Sequence, residues 1–99
     1  MLFRSERAIY RMTAEPARQF GITDRGRLTP GLAADLTIFD KDTVGSAVKA
    51  TEIKRDLPAA GERLYVAAHG VDYVIVNGGV LYDHGQRTGA RTGKVLHRP

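Results

Sequence analysis

The sequence has no cysteine in its 99 residues. That excludes disulfides, thiolate metal centres and a cysteine nucleophile. It has no apolar run near the ~20 residues of a membrane helix. The opening Met1-Leu2-Phe3-Arg4-Ser5-Glu6-Arg7 lacks the apolar stretch of a secretory signal. The expectation is a soluble, cytoplasmic protein with no membrane partner. There is no internal repeat and no low-complexity segment. There is no His-x-His and no histidine pair at helical i,i+4 spacing. His69, His84 and His97 stand far apart, on or beside loops, and read as surface histidines rather than metal ligands.

Acids are scarce at both ends. Residues 84–99 hold Arg87, Arg91, Lys94 and Arg98 with no Asp or Glu, and residues 1–27 hold six arginines against Glu6, Glu15 and Asp24. The net charge is +4. Basic zones of this kind can attract phosphate backbones, but they are more often solvated faces or contacts within one protein. Tyr65, Tyr73 and Tyr82 follow no stacking motif for single strands, so nucleic acid is not the expected partner. A small basic module that binds RNA or a protein is the alternative function.

Residues 5–20 read as helix. Ser5 can cap a first segment, with Ile9 and Met12 one turn apart. Thr13 starts a second, which places Pro16 in the first turn, where backbone N–H groups lack intrahelical partners. Ala17 and Phe20 are expected to face the core, and Gly21 suits the left-handed position that ends a helix. Strand signals follow. Arg27-Leu28-Thr29 predicts a short strand closed by a type II turn at Pro30-Gly31. Leu36-Thr37-Ile38-Phe39 is a second, and Leu64-Tyr65-Val66-Ala67 a third. Residues 41–62 read as a long polar connection, of the kind that is usually functional or mobile. Asn77-Gly78 predicts a type I′ hairpin. That turn sets Val76 opposite Gly79, Ile75 opposite Val80, Val74 opposite Leu81 and Tyr73 opposite Tyr82. The first strand is apolar on both faces, so it should lie inside a sheet.

Four groups of residues invite a chemical reading. Asp35, in Ala34-Asp35-Leu36, has the type of a catalytic acid, but an aspartate at a strand start is better read as binding turn amides. Asp40 and Asp42 read the same way, because paired carboxylates need a cleft to act as acid and base. Gly89-Ala90-Arg91-Thr92-Gly93-Lys94-Val95 has a phosphate-loop look and fails it: Thr88 stands where the first glycine is needed, and Val95 where Ser or Thr would meet magnesium. Arg55-Asp56-Leu57-Pro58 and Arg63 could meet a substrate carboxylate bidentately. A salt bridge at a domain interface is the better reading.

Four stretches together resemble the C-terminal end of amidohydrolase-superfamily enzymes. Tyr10-Arg11-Met12-Thr13-Ala14-Glu15-Pro16-Ala17-Arg18-Gln19-Phe20-Gly21 looks like the last helix of their (β/α)8 barrel. Gly26-Arg27-Leu28-Thr29-Pro30-Gly31 and Ala34-Asp35-Leu36-Thr37-Ile38-Phe39-Asp40 look like the return into their small β-domain, and Val76-Asn77-Gly78 like its hairpin. Arg55-Asp56-Leu57-Pro58 and the stretch from Thr88 to Leu96 resemble the N-acyl-D-amino-acid deacylases. The resemblance implies a mainly β fold: part of a small β-sandwich or β-barrel domain (residues 22–99, with the loop 41–62 and the basic tail 84–99), preceded by a short helical lead-in (residues 1–21). It implies a zinc-dependent parent that hydrolyses the linear amide of N-acyl-D-amino acids. A barrel needs roughly 250 residues, so this chain cannot contain one. The family's His-x-His pair, cysteine ligand and last-strand aspartate have no counterpart here, the last expected before Met1. The family's small domain also takes strands from the N-terminal end of the whole chain, and these have no counterpart either. No residue of this chain is therefore assigned a catalytic, cofactor-binding or metal-ligating role. The expected partner is a (β/α)8 barrel in the same or a companion chain. Unpaired strand edges and the apolar side chains of Val74, Val76 and Leu81 are also expected to favour a homo-oligomer.

Overall fold

A computed structural model describes residues 5–46 and 51–97. Arg4 and Arg98, counted above among the basic residues, lie outside them. The chain is mainly β, as expected. Helices α1 (Ser5–Met12) and α2 (Ala14–Gln19) lead in. Strands β1 (Leu36–Phe39), β2 (Gly45–Ser46), β3 (Glu52–Lys54), β4 (Arg63–Tyr65), β5 (Ala68–His69), β6 (Val71–Val76), β7 (Gly79–Asp83) and β8 (Gln86–Arg87) follow. They form a four-stranded sheet in the order β1-β6-β7-β8, and two separate pairs, β2-β5 and β3-β4, all antiparallel.

The helix break falls where the turn chemistry puts it. Thr13 occupies the N-cap of α2, and Pro16 sits in the first turn. The threonine hydroxyl does not cap α2; it donates back to the Ile9 carbonyl at 2.7 Å, four residues earlier. Gly21 takes a φ of 72° and ends the helix as expected. Ser5 lies inside α1 rather than capping it. The expectation for Phe20 is overturned: it is 69% exposed, while Ala17 is the only buried apolar side chain among the described residues. Ala17 is covered by the return of the chain, where Gly26 at φ 95° comes so close that a Cβ there would lie 2.8 Å from the Ala17 Cβ.

Pro30-Gly31 forms the expected type II turn, with Gly31 at φ 93° and the Leu32 N–H donating to the Thr29 carbonyl at 3.2 Å. Arg27-Leu28-Thr29 is not a strand. Strand-like residues alone do not make a strand; a neighbour must take up the backbone groups, and none of the described strands runs beside this segment. The connection 41–62 is likewise more structured than expected. It supplies β2 and β3, and Pro58–Ala60 forms a tight turn in which Ala59 and Ala60 both have positive φ. Of the third expected strand, Leu64 and Tyr65 lie in β4, which starts at Arg63, while Val66 and Ala67 are not in a strand.

β6 lies inside the four-stranded sheet as its composition demands. Its turn is type I′, with Asn77 at φ 48° and Gly78 at φ 81°. Val76 faces Gly79 and Ile75 faces Val80, but beyond that the register shifts: Val74 faces Tyr82 and Tyr73 faces Asp83. The extra residue is Leu81, a β-bulge whose carbonyl accepts from the Thr88 N–H at 2.9 Å. The pairing of β7 with the chain beyond β8 thus holds the bulge in place, which hairpin counting alone does not see. A second type I′ turn, His84-Gly85 with φ 48° and 84°, joins β7 to β8.

No sheet packs broadly on another among the described elements. Half-buried or exposed apolar side chains therefore occur throughout. Leu28 is 86% exposed, Leu64 73% and Met12 70%.

Candidate functional site

The most connected polar cluster gathers at the tip of the β6–β7 hairpin. Asp35 stands just before β1, where the Ala33 N–H bonds the Asp24 carbonyl at 2.8 Å and so draws the Gly26 turn alongside. One Asp35 carboxylate oxygen accepts from the Asn77 N–H at 2.8 Å. The other accepts from Arg25 Nη1 at 2.5 Å. Arg25 reaches on to the Asn77 side-chain oxygen at 3.3 Å, and the Asn77 amide nitrogen donates to the Thr92 carbonyl at 2.8 Å. The Thr92 hydroxyl donates to the Val76 carbonyl, and its methyl packs on Gly79, where any Cβ would collide with it. The Gly78 N–H closes the cluster on the Ala34 carbonyl at 3.0 Å.

Four remote segments thus meet at one turn: residues 24–26, residues 34–35, the hairpin tip and the tail at Thr92. Both Asp35 oxygens are engaged in this linkage, one on a backbone amide of a turn, as the strand-start reading expects. Arg25 is held above its ordinary pKa, first by its hydrogen bond to Asp24 and then by Asp35, with desolvation opposing. Asp24 is lowered by the same Arg25 contact. Each of these contacts ties one segment of the chain to another, so the cluster works as a fastening.

The other candidates are dispersed. Asp40 accepts from the Asp42 N–H at 2.9 Å in a turn after β1. Arg63 grips Asp56 with two bonds of 2.7 and 2.6 Å, and Arg55 pairs with Glu62 at 2.8 Å. The Asp56 carboxyl is held down to about 2, chiefly by the Arg63 hydrogen bond. The bidentate geometry that a substrate carboxylate would need from Arg63 is thus taken up within the β3–β4 arm itself. Tyr65 lies beneath Lys54 and Arg63 on that arm, with the lysine 3.8 Å from the ring centre. The segment from Gly89 to Val95 forms no phosphate cradle; it drapes over the hairpin through Thr92.

His69 Nδ1 meets the Thr43 carbonyl at 2.7 Å. His84 sits between two carboxylates, 2.5 Å from Asp83 and 3.8 Å from Asp72, with its ring edge-on to Tyr73. Its pKa is raised from the ordinary 6.5, first by the Asp83 hydrogen bond, then by Coulomb attraction to Asp83 and Asp72. A raised folded value means that its contribution is complete below the unfolded pKa and fades as pH climbs through the folded one. Amide exchange at residues 83–85 is expected to speed up, beyond its intrinsic pH dependence, as pH rises above 6.5, and His84→Asn should remove that excess.

The sequence pattern of the Amidohydrolase family matches residues 2–82. The chain belongs to the amidohydrolase family. Three curated relatives from Alcaligenes xylosoxydans xylosoxydans align along nearly all of it. An N-acyl-D-glutamate deacylase is 39% identical over 97 residues, 98% of this chain and 17% of the relative. A D-aminoacylase is 35% identical over 98% of this chain and 18% of itself. An N-acyl-D-aspartate deacylase is 38% identical over 96% of this chain and 17% of itself. The chain thus spans less than a fifth of the length of these amidohydrolases. No solved structure matches it.

The zinc implied by the resemblance finds no fitting donor set here. Among the described residues no three His, Asp or Glu side chains converge on one point. The donors that are present bind each other or the backbone: Asp35 holds Arg25 and Asn77, Asp56 holds Arg63, and Asp83 holds His84. No helix among the described residues is long and apolar enough to cross a membrane.

The residues that sequence reasoning missed are Arg25 and Thr92. Arg25 counts in the sequence only as one of the basic residues of positions 1–27, and its contact with Asn77 spans 52 positions. Thr92 read as part of a failed phosphate loop. The available signal was Asn77-Gly78, which fixes a turn and so marks where other segments can fasten.

Proposed function

We propose that this chain is the non-catalytic C-terminal scaffold of an N-acyl-D-amino-acid deacylase. The parent reaction is hydrolysis of a linear amide: water adds to the acyl carbonyl, the C–N bond breaks, and a carboxylate and a D-amino acid leave. In this reading a (β/α)8 barrel, in the same or a companion chain, holds the zinc and performs that step in the cytoplasm. Zinc supplies acidified water and a polarised carbonyl in such enzymes. The present chain contributes the small β-domain and the helix that lies against the barrel.

The observation that carries this reading is the pairing of near-complete identity coverage with an unfinished interior. The alignment to three deacylases runs along 96–98% of the chain. Arg25, Asp35, Asn77, Asp56 and Arg63 inside that alignment are engaged in internal contacts, and many large apolar side chains, Leu28 and Leu64 among them, are exposed. A scaffold that closes against a larger body needs both properties.

The test is to remove the homologous segment from the N-acyl-D-glutamate deacylase and to supply the present chain separately. The truncated enzyme should lose at least about 90% of its soluble activity, and co-expression with this chain should restore a measurable part. Full activity of the truncated enzyme would overturn the scaffold role.

A further inference from the structure

A groove of about 410 Å³ opens between α2 and the return at residues 21–27. Its floor includes Ala14, Ala17 and Ile22, and Arg18, Arg25 and Arg27 contribute its charged wall. No acidic residue lines it. Arg25 is committed to Asp24 and Asp35. The side chains of Arg18 and Arg27 make no ion pair or hydrogen bond among the described residues, whereas Asp24, Asp35, Asp56, Glu62 and Asp83 each hold a cationic partner. Two unspent guanidinium groups over an apolar floor are an electrostatic mismatch that a carboxylate-bearing occupant would satisfy.

We propose that this groove docks an acidic peptide segment, with two carboxylates meeting Arg18 and Arg27 and an apolar side chain between them on Ala17 and Ile22. A peptide fits better than a small metabolite because the surface continues beyond the groove. Phe20 and Leu28, each one residue from a groove-lining residue, are among the most exposed large apolar side chains of the chain. A small anion would leave them bare, whereas an extended segment would cover them. The assignment rests on the scaffold reading for the source of the segment, namely the barrel-bearing body, but its chemistry is testable without that body.

The probe is a synthetic peptide, acetyl-Glu-Leu-Ala-Glu-amide, titrated into the ¹⁵N-labelled chain, with the Gln-Leu-Ala-Gln peptide and sodium acetate as comparisons. The expected result is a saturable shift of backbone signals at residues 10–27 and of the Arg18 and Arg27 Nε–H signals. The shift should weaken at least about threefold between 20 and 200 mM salt, since exposed ion pairs are screened. Arg18→Gln combined with Arg27→Gln should lower the affinity at least about fivefold while leaving the spectrum of β6 and β7 unchanged. Arg18→Lys with Arg27→Lys should retain part of the binding, which separates charge from fold damage. Equal shifts with the Gln peptide, or shifts centred on residues 84–97, would overturn the proposal. Stronger binding of an oligonucleotide at residues 10–27 would overturn it in favour of a nucleic-acid surface, and acetate alone reproducing the shifts would reduce the site to a simple anion site. None of these outcomes depends on whether the truncated deacylase is rescued, so the two readings can fail separately.

Discussion

Purified alone, the chain is expected to sediment as a concentration-dependent mixture of monomer and oligomers and to unfold over a broad range of denaturant. Its accessible surface is 8459 Å², against about 5,500 Å² for a compact protein of this mass. The excess, roughly 2,900 Å², is of the size that obligate interfaces bury. Its radius of gyration is 15.8 Å, where a compact chain of this length has about 13 Å. Cooperative unfolding needs a shared core, and Ala17 is the only buried apolar residue among those described. The free edge of β1 and the bare Leu28 and Leu64 supply surfaces for self-association. Leu28→Lys with Leu64→Lys should raise the monomer fraction several-fold in analytical ultracentrifugation. A monodisperse monomer with a sharp two-state transition would mean that the exposed surface needs no cover.

Asp35→Ala should release the hairpin tip from the rest of the sheet. The change strands the Asn77 N–H and breaks the ion pair to Arg25 in one step. Removing the acceptor from a partly desolvated donor and its charged partner costs about 2–3 kcal/mol. Because a broad unfolding transition is expected of the isolated chain, the effect is best read locally. The Gly78 amide, bonded to Ala34, should lose about 30- to 150-fold of its protection against hydrogen exchange. Asp35→Asn keeps an acceptor for Asn77 and loses only the charge, so a smaller loss, about fivefold, is expected. Unchanged protection of Gly78 in Asp35→Ala would show that the cluster does not fasten the turn.

The sequence was most legible where conformation is decided within a few residues. Asn77-Gly78, Pro30-Gly31 and Gly21 each demand a positive φ, and each has it. The interior position of β6 followed from apolar residues on both of its faces. Legibility failed where a distant segment decides. The bulge at Leu81 depends on Thr88, and the hairpin register beyond Ile75 changes with it. Leu28 has strand-like neighbours but no paired strand, and Phe20 has the spacing of a core residue without a core beside it. These last two failures share a cause: local pattern records what a segment is suited to pack against, even when that body is absent from the described structure. In the site, Asp35 was legible as a turn-binding aspartate. Arg25 and Thr92 became visible only once the tail was seen to cross the hairpin.

We infer that this chain braces an amide hydrolase without catalysing the reaction. The most direct test is to incubate the isolated chain with N-acetyl-D-glutamate and zinc and to follow release of D-glutamate. No release above the protein-free blank is expected, at any zinc concentration and from about pH 6 to 9. Sustained, zinc-dependent release that scales with chain concentration, and survives removal of trace contaminants, would contradict it.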